Sequence, residues 1–292
     1  MIITDATMFN DIDILSKLST ETILDCSGCN SLEFLPFLPN LKTLICDECV
    51  GLKTVPAFPN LTRLICYGCV SLYQLPEIHT LSILDCSGCR EITNIPEYPN
   101  LTRLICKDCV NLESIPDLPN LDYLVCSGCS ILTTISAMEN LKTLNCSWCY
   151  MLNSIPILPN LVELECDECT ILSNIPCLSN LEKLSCNRCC SLPFIPDLPK
   201  LKILNCNWCT NLIDLPPLAN IITEPLVKNN VTNIVSKMYI KSDTICCICL
   251  AGENVYLTKC KHSYHRNCLK TWIDSIKEHV EYITCPYCRI KL

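Results

Sequence analysis

A twenty-residue unit recurs ten times, without insertion, from residue 21 to residue 220. Residues 41–60, LKTLICDECVGLKTVPAFPN, and 101–120, LTRLICKDCVNLESIPDLPN, show its grammar. Leu44 and Leu104 hold the fourth slot, Cys46 and Cys106 the sixth, Cys49 and Cys109 the ninth, Leu52 and Leu112 the twelfth. Val55-Pro56 and Ile115-Pro116 follow, and Pro-Asn closes both units. A fixed period of this length restricts the chain to a repeat architecture. No unit can bury its apolar face alone, so neighbours must stack into one continuous core.

Leu44-Ile45-Cys46 alternates with the period of a strand, and in-register stacking would line such segments into a parallel sheet. The recurrent Pro removes a donor and fixes φ, so the return path should be extended or 3-10-like rather than a long helix. The pattern resembles the leucine-rich repeat, L-x-x-L-x-L-x-x-N/C-x-x-L, and its Pro-containing tail is most like the twenty-residue bacterial variety. The resemblance implies an α/β-type leucine-rich repeat solenoid with a parallel β-sheet on the concave face and a mostly non-helical convex side. Residues 1–20 read as an N-terminal cap, with Ile12, Leu15 and Leu18 matching the second half of a unit. Residues 221–241 keep apolar residues but lose the Cys pairs, and read as a closing cap and linker.

The chain holds 29 cysteines. Each unit carries a C-x2-C pair, which elsewhere binds metal or runs thiol–disulfide chemistry. Here the sixth slot faces the core and the ninth falls where such repeats place a buried Asn or Cys bonded to neighbouring backbone. No helix N-terminus is signalled that would activate a thiol. The pairs are therefore expected to be reduced, structural, small buried hydrophobes.

Recognition in such a scaffold belongs on the strand face, at the second, third, fifth, seventh and eighth slots. Ile45, Ile65, Ile105 and Val125 share the fifth slot and predict an exposed apolar row. Tyr67, Tyr123, Trp148 and Trp208 add rings of the kind enriched in binding hot spots. Arg63, Arg103 and Lys107 lie centrally, with Asp47 and Glu48 to one side and Glu163, Glu165, Asp167 and Glu168 as an acidic patch on the other. These residues are the candidate substrate-binding surface.

A different composition begins near residue 242. Its donors run Cys246-x2-Cys249-x10-Cys260-x-His262-x2-His265-x2-Cys268-x16-Cys285-x2-Cys288. Six thiolates and two imidazoles suffice for two tetrahedral Zn2+ sites with nothing left over. Cys247, inside the first knuckle, and His79 and His279 are not counted as ligands. The order and spacing resemble a RING finger of the H2 type over residues 242–292. That resemblance implies interleaved structural zincs, one held by Cys246, Cys249, His265 and Cys268, the other by Cys260, His262, Cys285 and Cys288. It also implies a groove for a ubiquitin-conjugating enzyme at Ile248, Trp272 and Pro286, with Arg289 contacting both that enzyme and ubiquitin. The spacer before Cys285 is longer than in many RING fingers.

The net charge of −8 is uneven: residues 242–292 carry 7 Lys/Arg against 5 Asp/Glu, leaving 15 against 25 upstream, or −10. So acidic a scaffold repels a phosphate backbone, which argues against nucleic acid as partner. No uncharged run approaches a bilayer span. The start, MIITDATMFNDIDIL, lacks a basic n-region, and no lipidation motif is seen, so an intracellular, cytoplasmic protein with reduced thiols is expected. The uniform Cys-rich, Asn-ended units are similar in style to repeat proteins of large DNA viruses, in which case the cytoplasm is that of a host. The functional expectation is a RING-type E3 ubiquitin ligase, without a covalent enzyme intermediate, whose repeats bind a protein substrate. The rival is a non-catalytic adaptor in which the zinc module serves only assembly, and a third reading is a metal buffer.

Overall fold

In a computed structural model of the chain, the described residues are 1–212 and the backbones of three short strands beyond them, at Ile222–Thr223, Tyr256–Leu257 and Ser263–Tyr264. Two compact units are present: Met1–Leu212 with Leu218–Val227, and Ile213–Pro217 with Lys228–Leu292.

The first unit is a parallel-sheet solenoid. One three-residue strand arises per repeat: β1 (Ile23–Asp25), β2 (Thr43–Ile45), β3 (Arg63–Ile65), β4 (Ile83–Asp85) and β5 (Arg103–Ile105). On the return side lie the two-residue strands β6 (Ser114–Ile115) and β8 (Thr134–Ile135), which pair with each other, with β7 (Tyr123–Val125) between them in sequence. The main sheet continues through β9 (Thr143–Asn145), β10 (Glu163–Glu165), β11 (Lys183–Ser185), β12 (Ile203–Asn205) and β13 (Ile222–Thr223). It has eleven strands in the order β1-β2-β3-β4-β5-β7-β9-β10-β11-β12-β13. From β1 to β12 each residue pairs with its equivalent one repeat later, as in Leu44↔Leu64 and Leu64↔Leu84.

The core repeats as strictly as the sequence. Slots one, four, six, nine, twelve, fifteen and eighteen are buried, as Leu61, Leu64, Cys66, Cys69, Leu72, Leu75 and Ile78 illustrate. Removing such a Leu side chain costs its transfer energy plus a cavity, about 2–5 kcal/mol. The return path is extended, as the Pro residues require, and makes only fragmentary parallel pairs such as Thr54↔Gln74 and Ser154↔Asn174.

Side chains close what the short strands leave open. The twentieth-slot Asn donates Nδ2 to the nineteenth-slot carbonyl of the preceding unit: Asn60 to Pro39, Asn120 to Pro99 and Asn180 to Pro159, at 2.7–2.8 Å. Where Tyr98 replaces an aliphatic residue in the eighteenth slot, its hydroxyl donates to the Pro76 carbonyl at 2.8 Å, so the buried phenol is satisfied.

The N-terminal segment departs from the expected half-repeat. Residues Ala6–Asn10 form a 3-10 helix and Ile12–Leu18 an α-helix, α1, whose N-cap Asp11 accepts from the Asp13 and Ile14 amides. Leu18 is buried as expected, but Leu15 is only half-buried and Ile12 is 81% exposed. Helical geometry turns Ile12 away from the stacking direction that an extended unit would have given it. Ile3 is the apolar residue that covers β1 instead: it is buried, and its amide donates to the Asp25 carbonyl at 2.7 Å.

Candidate functional site

The repeat thiols belong to the scaffold. Each ninth-slot Sγ from Cys49 to Cys209 donates to the sixth-slot carbonyl of the unit before it, as Cys69 to Cys46 and Cys209 to Cys186, at 2.9–3.2 Å across nine successive interfaces. At the first unit, Cys29 finds the Ile3 carbonyl at 3.4 Å in the same role. Contact with the ninth-slot thiol of the next unit, reinforced by burial, holds the Cys66, Cys86 and Cys106 thiols well above the ordinary cysteine range. Burial, helped by the neighbouring Cys209, pushes Cys206 up to about 12. Such groups stay protonated at neutral pH, and a thiol is neither a good nucleophile nor a metal ligand.

The strand face carries the predicted recognition residues, with two corrections. The fifth-slot row is not an exposed apolar stripe. Ile45, Ile65 and Ile105 are half-buried and Val125 is buried at 4%. Register also inserts Asp85 between Ile65 and Ile105. The apolar area that does reach solvent lies in the rings and at the first strand: Tyr67, Trp148 and Trp208 are 50%, 48% and 45% exposed, and Ile23 is 52% exposed.

The second correction concerns the acidic patch, whose carboxylates are mostly engaged within the solenoid. Glu165 accepts from Asn145 Nδ2 at 2.6 Å and pairs with Lys183 at 3.2 Å. Glu168 pairs with Arg188 at 2.8 Å. Asp167 accepts the Asn187 amide at 2.7 Å and the Ser185 hydroxyl at 2.8 Å. Asp47 does likewise for the Tyr67 amide at 2.9 Å, and burial raises its carboxyl above the usual range. These seventh-slot acceptors form a second ladder, since Asn187 serves the Asn207 amide at 2.8 Å in the same way.

Basic residues differ. Arg63 and Lys107 are exposed, Arg103 is half-buried with its guanidinium 3.8 Å from the Tyr123 ring centroid, and none forms an ion pair among the described residues. Arg63 and Arg103 flank Ile83 in one in-register row.

Sequence reasoning missed the eighth slot's backbone. All ten eighth-slot residues have positive φ: Gly28, Gly68, Gly88 and Gly128, but also Glu48, Asp108, Trp148, Glu168, Arg188 and Trp208 at 54–65°. Recurrent Gly in that slot was the available signal. Trp148 and Trp208 both sit at this turn and are exposed there.

The second unit contributes one described feature, an antiparallel pair of β14 (Tyr256–Leu257) and β15 (Ser263–Tyr264), with Tyr256 opposite Tyr264. In sequence, Cys260 and His262 fall between these strands and His265 follows them. All eight expected zinc ligands, and Ile248, Trp272, Pro286 and Arg289, lie outside the described residues.

Residues 244–289 match the family model for the Ring finger domain. The C-terminal segment is a RING domain. It is similar to E3 ubiquitin-protein ligase AIP2 of Arabidopsis thaliana, 39% identical over 51 residues, a match that covers 16% of this chain and 14% of that relative. RING domains bind zinc, and the donor set here, thiolates and imidazoles in close-set pairs, fits that metal. The structure is similar to a leucine-rich repeat protein from Bacteroides ovatus, with a TM-score of 0.51 and 14% identity over 70% of this chain and 57% of that one. The likeness establishes the solenoid as leucine-rich-repeat-like in fold.

Proposed function

We propose that the protein is a RING-type E3 ubiquitin ligase: the RING engages a ubiquitin-charged conjugating enzyme, and the solenoid face binds the protein that receives ubiquitin. The observation that carries this reading is the RING match at 244–289, supported by the complete set of eight donors within it. Two zincs, when bound, hold the module's loops together as closed structural sites. Cys246, Cys249, His265 and Cys268 would hold one, and Cys260, His262, Cys285 and Cys288 the other. Ile248, Trp272 and Pro286 form the recruiting surface, and Arg289 steadies the thioester-linked ubiquitin for attack by a substrate lysine. Catalysis of this kind is positional; no side chain of the chain becomes covalently modified. The proposed setting is cytoplasmic.

Autoubiquitination of the purified full chain with a panel of conjugating enzymes tests the assignment. Ile248→Ala and Trp272→Ala should each reduce the product at least tenfold while zinc content stays near two per chain. Undiminished activity in both variants would refute the recruiting surface, and inactivity of the wild type with every enzyme would favour the adaptor.

A further inference from the structure

Against an acidic composition, the strand face carries three basic side chains that no ion pair engages among the described residues. The solenoid is acidic, yet near β10–β12 Glu165, Glu168 and Glu182 are paired with Lys183, Arg188 and Lys202 and Asp167 serves the seventh-slot ladder, leaving Glu163 exposed. Around β3–β5 the reverse holds. Asp85 lies in the middle of the row but accepts both the Ser87 hydroxyl at 2.7 Å and the Ser87 amide at 3.0 Å. The Asp108 carboxylate folds across Gly128, where a Cβ would collide with it. Arg63, Arg103 and Lys107 are left facing outward without an ion pair among the described residues.

Their spacing is set by the sheet. Arg63 and Arg103 stand two strands apart, about 10 Å at ordinary strand separation. Between and below them lie Ile83, Ile65 and Ile105, half-buried and aliphatic, with Asp85 between the last two turned to Ser87 and the exposed Tyr67 ring at the margin. Arg103 is held in place by stacking on Tyr123, which limits the entropy it loses on binding. Two guanidinium groups, one of them ordered by stacking, either side of Ile83 match two carboxylates flanking an aliphatic side chain.

We propose that the β3–β7 face is a docking site for an acidic peptide segment of a protein partner, with Arg63, Arg103 and Lys107 as carboxylate anchors and Ile65, Ile83 and Ile105 as the apolar floor. This rests on the substrate-face part of the ligase reading and gives that face a chemical preference. A net charge of −8 repels an acidic partner at long range, so the recognition is short-range and local.

The test is selection of a displayed random dodecapeptide library against the immobilised full chain, followed by fluorescence anisotropy with the top selected peptide. The expected result is Asp/Glu enrichment with an intervening Leu, Ile or Val. For the Arg63→Glu/Arg103→Glu double variant, at least tenfold weaker binding is expected with an unchanged melting temperature. Arg63→Lys/Arg103→Lys should keep an intermediate affinity, because charge without the planar fork retains part of the contact. Selected peptides lacking acidic excess, equal affinity in the double Glu variant, or tighter binding of a single-stranded oligonucleotide than of any peptide would each overturn the proposal. Autoubiquitination by the wild-type chain, which needs no external substrate, is read in parallel. Loss of peptide selectivity therefore fails this site alone, while an inactive wild type fails the ligase reading alone.

Discussion

At the scale of single residues, the ninth-slot cysteine is a hydrogen-bonding residue rather than a reactive one. Cys109 Sγ donates to the Cys86 carbonyl at 3.1 Å inside a fully buried interface. Cys109→Ala leaves that carbonyl unsatisfied and a small void, so a loss of about 1–3 kcal/mol is expected in urea denaturation. Asp47 shows the opposite logic. It supplies an acceptor that Asn supplies equally well at Asn187, but it does so as a partly buried charge, and burial raises its folded-state pKa. A raised carboxyl takes up its proton more readily folded than unfolded, so the wild type loses stability as pH rises through that window. Asp47→Asn should therefore raise the urea midpoint at pH 7, and its advantage should shrink toward pH 4. A constant difference between the two pH values would contradict the assignment.

Elements in this protein are stabilised by stacking more than by their own propensity. Three-residue strands are too short to stand alone, and each repeat's sheet segment depends on in-register neighbours. The N-terminal helix α1 shows how selective that dependence is. Leu18 is fully buried while Ile12 is 81% exposed, although both were expected to pack as repeat residues. Leu18→Ala should cost about 2–5 kcal/mol and Ile12→Ala less than about 0.5 kcal/mol, read from thermal or urea melts. Equal effects would mean that the helix docks by a different face.

Across the whole molecule, two populations of cysteine follow from two architectures. Twenty repeat thiols are buried and bonded to carbonyls or pressed against neighbouring thiols, Cys177 is exposed and Cys190 partly so. The proposed zinc ligands would be protected by metal instead. Iodoacetamide on native protein should label Cys177 first. Adding a zinc chelator should then expose Cys246, Cys249, Cys260, Cys268, Cys285 and Cys288 while the repeat pairs stay protected, as read by peptide mass spectrometry. Simultaneous labelling of the repeat pairs on chelation would place metal in the solenoid.

The sequence by itself determined the period, the buried slots and the parallel stacking, because a core that repeats every twenty residues is stable only if equivalent residues meet their copies. It also determined the RING, since close-set thiolate and imidazole pairs write a metal-built domain directly into residue spacing. Only the tertiary structure decided what the face offers. Whether Glu165 and Asp167 are free or engaged depends on Lys183, Asn145, Ser185 and Asn187 arriving from adjacent strands, and on side-chain directions that a linear pattern does not specify. The half-burial of Ile65 and Ile105, and the left-handed turn on which the exposed Trp148 sits, are likewise visible only in the folded chain. A repeat specifies its own core because it meets itself there, whereas its surface charges meet whatever the neighbouring unit happens to carry.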